Sequence, residues 1–211
     1  MAHPCTLGYY KMLLHKEATS ISDSSALRTA ALALTYYDME NHPEKGPGLI
    51  PCTLCNTTET LTPESGIIKD SIDEIIAIVE AKISKTVDSH KAYCQYYMGN
   101  SIEIEENNTT YTGSSGIEPA IHWDWETGFD PVYKPDQIAM LYIGPGKNSI
   151  LEFWAHDGGL WYENEIKSSE TLTTNDLLIF DHTFAYRVSP SSWGTTQSDS
   201  GLHLVLFMKT S

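Results

Sequence analysis

The sequence predicts an α+β chain: a double-sheet jelly roll with helices packed on its outside. Three observations carry the prediction. The second half is a succession of short apolar runs, each closed by turn residues: Ile138 to Ile143 before Gly144-Pro145-Gly146, Ile150 to Trp154 before Asp157-Gly158-Gly159, and Tyr186 to Ser189 before Pro190. Several of these runs are apolar on both faces, as strands are when buried between two sheets or between a sheet and helices. The first half instead carries helical periods, the clearest from Asp70 to Val87.

A chain of 211 residues, 41% hydrophobic, is long enough for one sizeable core. Residues 1–211 are expected to form one domain, with a helical and irregular part over 1–90 and the jelly-roll core over 91–211. The net charge of −15, with no cluster of Lys or Arg to offset it, argues against nucleic acid and anionic membranes as partners. No apolar run reaches membrane-spanning length and no secretory pattern opens the chain. A cytoplasmic protein with a small-molecule substrate is the expectation, and the oligomeric state stays open.

Taken in order, residues 1–20 show no period beyond the apolar patch from Tyr9 to Leu14. From Ser22 to Tyr37, Ala26, Leu27, Ala30, Ala31, Leu34 and Tyr37 follow helical spacing after a Ser/Asp start, so one amphipathic helix is predicted there. Residues 41–66, rich in Pro, Gly, Thr and Asn, read as a long irregular connection, either linker or lid. Cys52 and Cys55 within it are spaced as half of a zinc site that Cys5 or His42 could extend; ordinary reduced thiols are the plainer reading. Asn56-Thr57-Thr58, Asn107-Asn108-Thr109 and Asn108-Thr109-Thr110 fit a glycosylation pattern that has meaning only in a secreted protein. The helix from 70 to 87 aligns Ile72, Ile75, Ile76, Val79 and Ile83 on one stripe, a face suited to backing a sheet, while Asp73, Glu74, Glu80 and Lys82 stay in water. Ala92 to Tyr97 and Ser101 to Glu105 are expected strands, and 106–118 a loop delivering the chain to His122. Leu177 to Phe180 and Leu202 to Met208 complete the strands.

Chemistry is most legible in Ile121-His122-Trp123-Asp124-Trp125. On an extended strand alternate side chains share a face, so His122 and Asp124 point one way and the two tryptophans the other. An imidazole and a carboxylate so placed are two legs of a divalent-metal site, and two His with one carboxylate suit non-haem iron(II). The plain alternative is a surface strand bearing two polar residues.

With these residues in view, 117–211 resemble the double-stranded β-helix core of the iron(II)/2-oxoglutarate-dependent oxygenases, a cupin-like fold. The H-x-D dyad, the strand Asp136 to Ile143 and the segment Asn175 to Phe180 follow the family's order. The resemblance implies a distal histidine opening an H-x-V-x-P strand, and a basic residue in the last strand that binds the 2-oxoglutarate carboxylate. The sequence departs at both: Tyr186 of Tyr186-Arg187-Val188-Ser189-Pro190 stands where the histidine is expected, and the strand Gly201 to Phe207 has Asp199 or Gly201 near the place of the anchor. Tyrosine is the poorer ligand at neutral pH, its unperturbed pKa lying near 10. His182, four residues earlier and on the same face as Tyr186 in a regular strand, could replace it after a register change. His203 could line the cavity, Tyr142 and Trp154 could wall it, and Arg187, out of phase with Tyr186, is the one arginine of the core segment. His156-Asp157-Gly158-Gly159 could supply a ligand but reads as turn chemistry, and Trp123, Trp125, Trp161 and Tyr162 read as sheet packing or a substrate wall.

What the resemblance implies is an iron(II)-dependent dioxygenase, linked to 2-oxoglutarate, acting on a small molecule or a side chain. His122 and Asp124 would be its catalytic metal ligands, with Tyr186 or His182 the third. Two other classes stay open: a metal-binding jelly roll with another reaction, and a binding domain of the same fold that has lost the triad.

Overall fold

The computed structural model describes residues 14–19, 24–38, 53–56, 65–97, 102–104, 109–111, 135–144, 149–155, 168–181, 184–188 and 201–211. They form a mixed α/β arrangement of antiparallel strands with two helices. The larger sheet has seven strands. In spatial order they are β1 (Leu14–Ala18), β10 (Asp176–Asp181), β7 (Gln137–Gly144), β12 (Leu202–Thr210), β4 (Val87–Tyr97), β3 (Thr53–Asn56) and β2 (Tyr36–Asp38). The smaller sheet orders β11 (Phe184–Val188), β8 (Ser149–Ala155) and β9 (Ser168–Leu172), and a hairpin pairs β5 (Ile102–Ile104) with β6 (Thr109–Tyr111). From β7 to β12 the chain passes between the larger and the smaller sheet, so that the two face each other across one core.

Alternation explains how the apolar runs are used. Along β7, Ile138, Met140 and Tyr142 face the smaller sheet while Ala139, Leu141 and Ile143 face the helices; β10 and β12 divide the same way. Runs apolar on both faces are therefore strands with a core on each side. The helix-side core receives Leu27 and Ala31 from α1 (Ser24–Leu32) and Ile72, Ile75 and Val79 from α2 (Ile67–Ile83). The stripe predicted for the second helix thus packs on the sheet, with Ile76 and Ile83 only partly buried at its margin. Asp73 and Lys82 are exposed, Glu74 and Glu80 half-buried.

Several boundaries differ from the sequence expectation. The first helix ends at Leu32, and Tyr36–Asp38 is strand β2 rather than helix. Leu34 N–H bonds to the Ala31 carbonyl at 3.1 Å, tightening the last turn, and the Tyr36 hydroxyl donates to the same carbonyl at 2.8 Å, which folds the chain back. The second helix spans 67–83, not 70–87: Ser84 adopts a left-handed conformation (φ 56°, ψ 39°) and its N–H bonds to Glu80 O. Glu80 Oε1 then accepts the Val87 N–H at 2.8 Å, so the β-branched end of the predicted helix opens β4. Strand β3 lies inside the stretch read as irregular, because its pairing with β4 supplies order that a four-residue pattern does not show. The same holds for β6 within the expected loop 106–118, and for β1 in a stretch without a period. Strand β9, Ser-Ser-Glu-Thr-Leu, was not expected: it pairs only with β8 at the sheet edge and buries only Leu172 among the residues whose exposure is described.

Among the described residues no helix is long and apolar enough to cross a membrane. Cys94, on β4, is buried; burial pushes its thiol up to about 12, with a hydrogen bond to Tyr36 acting the other way. It is an inert core thiol. Cys5, His42 and Cys52 lie outside the described residues, so the zinc reading does too.

Candidate functional site

The core between the two sheets is apolar along most of its length and polar at one end. Its apolar part holds Ile138, Met140, Leu151, Leu178, Val205 and Phe207. Three rings close it: Phe153 and Phe180 meet edge to face with centroids 5.1 Å apart, and Tyr186 packs against Phe180 at 5.1 Å and Phe153 at 6.2 Å. Tyr186 is fully buried, so the residue standing at the expected histidine position belongs to an aromatic cluster.

The polar end is built around His203. Strand β12 pairs with β7 in regular register from Met208 to His203, where His203 opposes Tyr142, but Leu202 opposes Gly144. Ile143 is skipped. As directly paired residues, His203 and Tyr142 share the interior face, their rings tilted at 43° with centroids 5.2 Å apart. Across the core, Ser149 Oγ on β8 lies 2.9 Å from His203 Nε2; either can donate, according to the imidazole tautomer. On the other flank of β12, His203 opposes Gln95, also fully buried.

Burial sets the electrostatics. Loss of solvent lowers the His203 pKa to about 3, with hydrogen bonding to the Gly201 backbone pulling the other way, so the ring is neutral at physiological pH. Burial likewise raises the Tyr142 phenol above its ordinary value, while the charge of Arg28 opposes that rise. Arg28 reaches this end from α1 and donates through Nη1 to the Gly144 carbonyl. Neutral imidazole, hydroxyl and phenol beside a guanidinium can bind and orient a polar or anionic ligand; none is an activated nucleophile.

Of the residues singled out from sequence, the structure brings together Tyr142 and His203. Tyr186 sits deeper in the same core, beside the aromatic rings. Trp154 and Arg187 occupy paired strands, Arg187 opposite Glu152 and out of phase with Tyr186. His122, Asp124 and His182 lie outside the described residues, as do Trp123, Trp125, His156, Trp161 and Tyr162. Among the described residues no three His, Cys, Asp or Glu side chains cluster as a metal site. Sequence reasoning missed Ser149 and Arg28. Ser149 had a readable signal, sharing strand phase with Leu151 and Phe153; Arg28 had none, since its partners are more than a hundred residues away.

No protein-family model matches the sequence, and no curated protein matches it in sequence. Among solved structures the chain is similar to a prolyl-4-hydroxylase of Pseudomonas putida, at 12% identity and a TM-score of 0.55 over 94% of this chain and 93% of that one. The two share a fold. HygX from Streptomyces hygroscopicus, solved with nickel, 2-oxoglutarate and hygromycin B, is similar at 13% identity and a TM-score of 0.47 over 92% and 81% of the two chains. At 12% identity the likeness to the prolyl-4-hydroxylase speaks for the fold alone.

Proposed function

We propose that the chain is a jelly-roll oxygenase that uses iron(II) and 2-oxoglutarate on a small molecule or a side chain. The observation that carries the reading is the His203–Ser149–Tyr142 group, three polar side chains buried in an otherwise apolar core between two facing sheets. Burying polar groups is costly, and a core needing only stability would be served as well by apolar residues. The fold shared with a prolyl-4-hydroxylase supports the same class of site.

In this reading His122 and Asp124 would hold the metal, with His182 the third ligand. Two imidazoles and a carboxylate are the donor set that suits iron(II). When bound, iron(II) and the oxo acid supply the oxidising chemistry, which is theirs rather than the protein's. The chain's own residues do the rest. Tyr142, kept protonated by burial, donates a hydrogen bond; His203 and Ser149 hold each other in one orientation; Phe153, Phe180 and Tyr186 exclude water from the core. Trp154 and Arg187 are assigned to the substrate side.

The test is metal content after anaerobic iron(II) loading. Wild type should retain iron, and His122→Ala and Asp124→Ala should each lose most of it; equal retention in all three would sink the reading. A second reading, a binding domain of the same fold without metal chemistry, is favoured by the burial of Tyr186 among aromatic rings. It predicts no iron in wild type.

A further inference from the structure

Strand β9 is weakly anchored. Its ladder runs to β8 alone among the described strands, and of its residues whose exposure is described only Leu172 is buried. Elements with few buried apolar contacts are the ones that open locally. Yet β9 flanks the polar end of the core, because Leu172 is the residue that opposes Ser149 on β8, and Ser149 Oγ meets His203 Nε2.

A side chain of the larger sheet crosses to this strand. Lys16 on β1 opposes Leu178, which packs between the sheets, so Lys16 leaves its strand on the side of the smaller sheet. Its Nζ donates to the Thr171 carbonyl of β9 and lies 3.1 Å from Asp176 Oδ2. The same Oδ2 accepts the Thr173 N–H and hydroxyl, and the Asp176 N–H donates to the Thr173 carbonyl at 2.9 Å, so the turn from β9 to β10 keeps bonds of its own when Lys16 is gone. Thr19, just past β1, grips that turn a second time: its N–H and its hydroxyl both donate to the Asn175 carbonyl at 2.9 Å. Thr19 thus fixes the turn to the larger sheet, while Lys16 fixes the strand leading into it. The Lys16 side chain is 38% exposed, and an ion pair so open to water adds little to stability. A bond of that kind holds two edges together and is readily released.

We propose that Lys16 is a latch between the two sheets: bonded to Thr171 and Asp176 it holds β9 closed over the His203–Ser149 end of the core, and its release lets β9 swing away about the turn held by Thr19 and admits small molecules to that end. The latch governs access and assigns no ligand, so it does not depend on the oxygenase reading.

The experiment measures access with two covalent probes on the full chain, without metal, in wild type, Lys16→Met and Lys16→Arg. Diethyl pyrocarbonate modifies neutral imidazole, the form in which His203 is held, and its rate at His203 is followed by peptide mass spectrometry. N-Ethylmaleimide at Cys94, buried in the helix-side core, reports opening of the whole fold. Methionine keeps an unbranched stem and removes the ammonium, so Lys16→Met should raise the His203 rate about fivefold or more, the effect of losing one hydrogen bond to a charged group. Cys94 should react as in wild type, and Lys16→Arg, which keeps a charged donor, should leave the His203 rate within about twofold of wild type. An unchanged His203 rate in Lys16→Met, an equal rise at His203 and Cys94, or a rise in Lys16→Arg equal to that in Lys16→Met would each overturn the latch. A local rise at His203 in a chain that retains no iron on loading would leave the latch standing and remove the oxygenase reading.

Discussion

Ser149 and His203 bridge the two sheets: Ser149 Oγ on β8 and His203 Nε2 on β12 are 2.9 Å apart, and both residues are fully out of solvent. Strands of one sheet are held by their ladders, whereas the described core between the sheets is packed mostly by apolar and aromatic side chains, whose contacts have little direction. This hydrogen bond adds direction at the end of the core where the ligand is proposed to bind. Ser149→Ala should cost about 1–3 kcal/mol, the penalty of stranding a buried imidazole nitrogen, and urea unfolding measures it. A change near zero would mean that the bond has no share in stability.

The same histidine makes stability depend on pH. Its folded pKa, about 3, lies below the unfolded value of 6.5, so the unfolded chain takes up a proton that the folded chain refuses. The contribution is complete above pH 6.5 and is lost as pH falls from there toward about 3, by an amount on the order of a few kcal/mol. Comparing wild type with His203→Asn at pH 7, 5.5 and 4 isolates it. The gap between the two proteins should shrink or reverse as pH falls; a constant gap would show that His203 is not buried and neutral.

Packing of α2 distinguishes adjacent isoleucines. Ile75 is fully buried against the sheet and Ile76 only partly. Ile75→Ala should cost about 2–5 kcal/mol and Ile76→Ala roughly half of that or less. Equal losses would place the helix differently on the sheet.

Gly144 is where three elements meet. Its φ of 88° is left-handed, and a Cβ there would lie 2.6 Å from Thr174 Oγ1. Gly144→Ala should therefore destabilise by about 1–2 kcal/mol from the backbone alone, with an added penalty for the clash. Removing the Thr174 hydroxyl in Gly144→Ala/Thr174→Ala should recover only the second part, by thermal unfolding against Thr174→Ala. Full recovery would show that the backbone conformation carries no cost.

The turn between β9 and β10 rests on Asp176, whose Oδ2 accepts from the Thr173 N–H at 2.7 Å and the Thr173 hydroxyl at 2.9 Å and pairs with Lys16 at 3.1 Å. Burial works to raise its pKa, but these partners outweigh it and hold the carboxyl below its ordinary value. Its stabilisation is present above the unfolded pKa and fades as pH falls through the folded one. Asp176→Asn should cost about 1–2 kcal/mol at neutral pH and nothing additional near pH 2, measured by urea unfolding.

By itself the sequence determined what its periods encode. Two-faced apolar strands required a core on each side, and the isoleucine stripe of α2 required a sheet beneath it; Ile72, Ile75 and Val79 are buried on one. Local pattern carries such information because a face buried over several turns must repeat its chemistry. Short or polar strands escaped it: β3 and β9 owe their conformation to the strands they pair with, β4 and β8, and their own residues show no period. The site divided in the same way. His203 and Tyr142 were legible as polar residues on interior strands. Their meeting depended on the register in which β12 pairs with β7, their link to Ser149 on the facing of two sheets, and the approach of Arg28 on a helix docked 116 residues away along the chain. Only the tertiary structure decided those three, because register shifts, sheet packing and helix docking are fixed by interactions between elements, and a single strand's alternation is the same whichever partner it meets.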